Sequence, residues 1–83
     1  MELFGYERNK EKKSLVISEA TMICSKEELD KIIEYLQSIR EEINKEYINP
    51  NEHWHYSDYN QDWTEKDSEL VVFIDNTPKK RNN

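Results

Sequence analysis

The stretch His53-Trp54-His55-Tyr56-Ser57-Asp58-Tyr59 holds the residue types best able to do chemistry. Taken as an extended strand, it sends alternate side chains to opposite faces. His53, His55, Ser57 and Tyr59 then share one face, and Trp54, Tyr56 and Asp58 the other. Two imidazoles at such spacing can supply two zinc ligands, with a carboxylate such as Glu19 from a neighbouring strand as a third. The chain has only 2 His and 1 Cys, so His53, His55 and Glu19 are a weak metal candidate and no cofactor is expected. Aromatic and acidic neighbours point instead to recognition: Trp and Tyr are enriched in binding hot spots. His53, His55, Asp58, Tyr59, Asp62 and Trp63 are therefore the expected partner-binding residues.

Catalysis has little to work with. His55 and Asp58 could be drawn as an acid–base pair, but such a pair needs a pocket that a small domain rarely builds. A single glycine, Gly5, excludes a glycine-rich phosphate loop. Cys24 stands just before a helix start, where a thiol can be acidified. Its apolar surroundings favour a buried, inert side chain. The chain is not expected to be an enzyme.

The elements that must position these residues follow from periodicity. Ser25-Lys26-Glu27-Glu28 fits a capping box, with Ser25 at the N-cap and Glu28 reaching back to its amide. Leu29, Ile32, Ile33, Leu36, Ile39, Ile43 and Tyr47 recur at steps of three and four, one apolar stripe of a long helix. Glu27–Lys31 and Glu41–Lys45 are helix-supporting pairs, and Asn49-Pro50-Asn51 ends the element. Four runs read as strands: Glu2–Arg8, with Gly5 as a bulge or kink, Ser14–Cys24, His53–Tyr59 and Glu69–Asp75. Asn9–Lys13 is a hairpin loop and Asn60–Ser68 a polar loop carrying Trp63. The pattern predicts a two-layer α+β fold, β-β-α-β-β, with a four-stranded antiparallel sheet and one long helix packed on one face. Residues 1–75 form this single domain and 76–83 a disordered basic tail.

One helix covers only one face of a sheet. In Ser14–Cys24 the set Val16, Ser18, Ala20, Met22 and Cys24 suits close packing against it. In the last strand Leu70, Val72 and Ile74 oppose Val71, Phe73 and Asp75, so both faces are apolar. The open face should meet another molecule, a second copy or a partner protein.

Composition narrows the partner. Apolar and charged residues each make up about a third of the 83-residue chain (35% and 36%), but two Trp, five Tyr and two Phe argue for a folded domain. A domain of this size has a total stability of roughly 4–12 kcal/mol. Formal net charge is -6, and residues 14–78 carry five basic side chains against fifteen acidic ones. Arg8, Lys10, Lys12 and Lys13 cluster near the start, and Lys79, Lys80 and Arg81 near the end. An acidic body repels nucleic acid and attracts a basic partner. No apolar run approaches a membrane span, and the N-terminus lacks the pattern of a secretory signal, so a cytoplasmic location is expected.

The Ile17-Ser18-Glu19-Ala20-Thr21 run, the helix opening Ser25-Lys26-Glu27-Glu28-Leu29, the His53–Tyr59 stretch with Trp63, and Ser68-Glu69-Leu70-Val71-Val72-Phe73-Ile74 together resemble the immunity-protein 32 family of bacterial polymorphic-toxin systems. The resemblance runs from about Leu15 to Asp75. It implies a non-catalytic cytoplasmic protein that binds and neutralises a cognate toxin; metal binding at His53 and His55 is not part of what it implies. A basic toxin would suit the acidic body. The alternatives are a small His-x-His metal-binding protein and a homodimer joined through the open sheet face.

Overall fold

The computed structural model describes residues 1–8, 13–45 and 52–75. Its order is β1 (Leu3–Gly5), β2 (Leu15–Ile17), α1 (Lys26–Lys45), β3 (His53–His55), α2 (Tyr56–Tyr59) and β4 (Val71–Phe73). The chain is a small α+β fold, but the strands make two separate two-stranded antiparallel sheets, β1–β2 and β3–β4. That corrects the expected four-stranded sheet under one helix. Residues Tyr47, Asn49-Pro50-Asn51, most of the Asn9–Lys13 loop and the 76–83 tail lie outside the described residues.

The helix begins where its cap predicts. Ser25 Oγ accepts the Glu28 amide at 3.1 Å, and Ser25 O accepts the Leu29 amide at 2.9 Å. The reciprocal half of the box is replaced: Glu28 Oε2 accepts the Tyr56 hydroxyl at 2.8 Å. Lys31 likewise leaves Glu27 for Asp62, at 2.9 Å. Long-range partners have outcompeted the local ones.

The core is Ile32, Tyr35, Ile39 and Tyr56, with Ile43, Trp54, Trp63, Leu70 and Val72 packed against it. Tyr35, absent from the expected stripe, is the most deeply buried side chain, at 2% exposure. Leu29, Ile33 and Leu36, three members of that stripe, are exposed. The apolar arc of α1 is wider than β3, β4 and α2 can cover.

Several strand expectations are shortened. The Ser14–Cys24 run pairs only over Leu15–Ile17, because β1 offers three residues of partner and the backbone beyond Ile17 has no ladder to join. Val16 is exposed rather than turned to the helix, and Cys24 is exposed rather than buried. Gly5 makes no bulge; it lies in register opposite Leu15. A Cβ there would stand 3.2 Å from Ile17 Cδ1, so glycine leaves room for that side chain to lie across the strand. In β4 the alternation holds: Leu70, Val72 and Ile74 are half-buried while Val71, Phe73 and Asp75 face out.

The largest correction is in the His53–Tyr59 stretch, which is a strand only to His55. The Tyr56 amide donates to Leu70 O at 3.0 Å as the end of the ladder, and the Asn60 amide then donates back to Tyr56 O at 2.9 Å, closing one helical turn. Buried Asn60 locks the turn. Its Nδ2 donates to the Tyr56 hydroxyl at 3.2 Å, and its Oδ1 accepts the Asp62 amide at 3.0 Å.

Tyr56 gives this corner a pH signature. Burial, and then the Glu28 carboxylate that accepts its hydrogen bond, push its pKa up from 10.0 to about 12. Burial also raises that of Tyr35. Below pH 10 both folded and unfolded chains hold the proton, so the contribution of Tyr56 is fully present there. Above it the unfolded chain ionises first, and stability falls as pH climbs through about 12. Denaturation midpoints should therefore drop over that window in the wild type and drop less in Tyr56→Phe. Tyrosinate absorbance of the folded chain should show two late-titrating tyrosines. Equal alkaline loss in both proteins would remove Tyr56 as its source.

Candidate functional site

Antiparallel register decides what each face of β3–β4 presents. Trp54 pairs with Val72 and faces the core, whereas His53 opposes Phe73 and His55 opposes Val71. The outer face thus carries two imidazoles beside two exposed apolar side chains. The His53 ring lies nearly parallel to Phe73, with centroids 6.5 Å apart, and meets the His55 ring edge-on at 5.2 Å.

Beside β3, α1 and α2 frame an open hollow of 460 Å³. Tyr35, Ser38, Glu41 and Glu42 come from the helix, His53, Trp54 and His55 from the strand, and Asp58 and Tyr59 from the short helix. Helical spacing explains the first group, since positions 35, 38 and 42 follow one another at steps of three and four along one side of α1. The turn of α2 brings Asp58 and Tyr59 in, where a straight strand would have sent them to opposite faces.

The hollow is negatively charged and in part fixed. Trp54 Nε1 donates to Glu42 Oε2 at 2.6 Å, so that carboxylate is held against the indole. The Tyr35 and Tyr59 rings stand 5.7 Å apart. Neither Lys nor Arg is among the lining residues. Glu69 supports the rim from behind, accepting the Ser57 hydroxyl and, at 2.9 Å, the Ser57 amide. Burial works against its charge, but the Ser57 and Leu70 donors and His55 outweigh it and hold the carboxyl below its ordinary range. Its Oε2 lies 3.8 Å from His55 Nδ1. Ring faces and carboxylates converging on one concavity suit an ammonium or guanidinium group.

Of the six expected partner-binding residues, His53, His55, Asp58 and Tyr59 meet in this hollow. Asp62 does not. Its carboxylate is held by Lys31, which lowers its pKa and raises that of the lysine. Trp63 also lies elsewhere: it is packed on the core, its Nε1 donating to Ser68 O at 3.0 Å. Trp63→Ala should therefore act on stability, at a cost of about 3 kcal/mol. Denaturant unfolding checks this; an unchanged midpoint would return Trp63 to the surface. Glu41, Glu42, Tyr35 and Trp54 were missed as site residues because the acids read as solvated helix face, Trp54 falls on the strand face opposite the histidines, and Tyr35 stands outside the expected helix stripe.

Glu19 is not part of the hollow. Among the described residues no group of three or more His, Cys, Asp or Glu is arranged to hold a metal ion. Nor is any helix among them long and apolar enough to cross a membrane. No protein-family model, curated protein or solved structure matches the chain.

Proposed function

We propose that this chain is a non-catalytic cytoplasmic interaction protein of the immunity class, which binds a basic toxin and blocks it. The observation that carries this reading is the hollow lined by Glu41, Glu42 and Asp58, by the rings of Tyr35, Trp54 and Tyr59 and the imidazoles of His53 and His55, and by neither lysine nor arginine. A lysine or arginine of the toxin enters it, stacks on Tyr59 and pairs with the carboxylates. His53, His55, Val71 and Phe73 form the adjoining contact surface. The acidic body steers the encounter from a distance and matches the resemblance to the immunity-protein 32 family. A nuclease-type toxin with a cationic groove would be inhibited by simple occlusion, with no bond made or broken.

Affinity capture of the partner from the native cytoplasm, followed by titration of the purified pair at graded salt, tests the proposal. A stoichiometric basic protein whose affinity falls steeply with salt is expected. A partner that is acidic, or bound equally well at high salt, would overturn it.

A further inference from the structure

The basic run Lys79-Lys80-Arg81 has no role in the toxin-binding reading, yet the fold starts it beside the hollow. It lies outside the described residues, which end with Asp75. Its point of departure is fixed. The Ile74 amide donates to Glu52 O at 3.2 Å, and Phe73 opposes His53, one of the residues that line the hollow. Neighbouring strands are about 5 Å apart, so the chain leaves β4 one strand-width from the strand that borders the site. Six residues separate Phe73 from Lys79, a reach of up to about 20 Å before the length of the lysine side chain is added.

Charge selects this occupant. Residues 76–83 carry Lys79, Lys80 and Arg81 and no acidic side chain. The hollow offers Glu41, Glu42 and Asp58. Among the described residues the ion pairs are Lys31–Asp62 and His55–Glu69, which leave those three carboxylates without a cation. Counting Lys45, four residues on from Glu41, as one positive charge still leaves the site negative. The other basic cluster starts elsewhere. Arg8 donates to Glu65 O at 2.8 Å and Lys66 O at 3.3 Å. Leu3 of the same hairpin borders a groove with Glu27, Glu28 and Lys31, from the first half of α1. The hollow takes Glu41 and Glu42 from the second half.

We infer that the Lys79–Arg81 segment of the same chain occupies the hollow and competes there with any other cation. An ammonium or guanidinium group of the segment stacks on Tyr59 and pairs with the carboxylates. A tether this short holds it at an effective concentration in the millimolar range. Affinity for an external lysine or arginine is then reduced in proportion to the fraction of molecules left open, so the tail guards the site against weak cationic ligands. The inference rests on the hollow being a cation site and needs no toxin.

NMR of the full chain tests the contact from both sides. Lys79→Gln combined with Lys80→Gln and Arg81→Gln should shift the Trp54 indole N–H, which donates to Glu42, and the Asp58 and Tyr59 amides. The Trp63 indole N–H, bonded to Ser68 O, should stay in place. Glu41→Gln combined with Asp58→Asn should shift the amides of residues 79–81 in return. Raising salt from about 0.01 M to about 1 M shortens the screening length roughly tenfold, and should carry the wild-type hollow signals to their positions in the tail variant. Glu41 and Asp58 are exposed, a well-dispersed spectrum identifies folded variants, and Asp58→Asn alone replaces a double variant that fails to fold. Hollow signals that coincide in wild type and tail variant at low salt overturn the proposal, as do tail amides that the hollow variant leaves unmoved. Shifts that vanish on dilution overturn it too, because they place the segment on another copy. None of these readouts uses a toxin. A basic partner can be captured while the tail contact fails, and the contact can stand with no such partner, so the two failures are told apart.

Discussion

Tyr35→Ala should leave the chain largely unfolded, and Tyr35→Phe should lower its stability by about 1 kcal/mol. The ring is the centre of the core, 2% exposed. It contacts Tyr56 and Tyr59 at centroid distances of 5.2 and 5.7 Å. Deleting it opens a cavity that costs about 3–5 kcal/mol, against a total of roughly 4–12 kcal/mol for a chain of this length. The hydroxyl has a second task. It lies 2.9 Å from Trp54 O and 3.0 Å from Leu70 O, sharing one proton between a carbonyl of β3 and the carbonyl just ahead of β4. Leu70 O also accepts the Tyr56 amide, and Trp54 is opposite Val72 in the ladder. Removing the hydroxyl leaves Leu70 O with its Tyr56 amide but takes an acceptor from the Val72 amide, so the cost stays near that of one hydrogen bond. Urea unfolding of the two variants separates ring from hydroxyl. A Tyr35→Ala chain that keeps a cooperative transition near the wild-type midpoint would move the core elsewhere.

The pattern of this chain made α1 legible because each signal there is local. Ser25 caps it, apolar residues recur at helical spacing, and both can be read from neighbours in sequence. Tyr35 was legible by the same rule, three residues after Ile32 and four before Ile39, but a hydroxyl-bearing ring next to Glu34 suits a surface position as readily as a core one. The sheet was less legible because pairing depends on what each strand meets. Ser14–Cys24 has strand-like side chains over eleven positions, and only three find a partner. Ser57–Tyr59 failed for another reason: over seven residues, alternation and a single helical turn place aromatics at compatible positions. The decision falls to Glu69 and Asn60, distant or flanking groups that bond the turn. Half-legible strands gave a half-legible site. His53 and His55 were placed by their strand, whereas Glu41 and Glu42 joined them only through packing of α1 against β3.

Reversing charge in the hollow should be the most damaging change to partner binding. Asp58→Lys combined with Glu41→Lys is expected to weaken the toxin complex by about 100-fold or more, as removal of interface charge pairs does elsewhere. Two carboxylates become ammonium groups in a cavity whose remaining acid, Glu42, is already held by Trp54 at 2.6 Å. Asp62→Lys combined with Glu65→Lys, the same change of four charge units at exposed positions outside the hollow, should change affinity by no more than about threefold, because the Asp62 carboxylate is spent on Lys31 and exposed ion pairs count for little. The contrast between the two variants separates a located site from a general attraction. If the net charge of the acidic body governed binding, each lost negative charge would count alike wherever it lay. Isothermal titration at fixed ionic strength reads both. Both changed residues are exposed, and unfolding midpoints close to wild type should confirm that the fold is intact. A double variant that still binds at wild-type strength would take the hollow out of the interface. Losses shared equally with the Asp62→Lys, Glu65→Lys control would reduce the interaction to long-range steering.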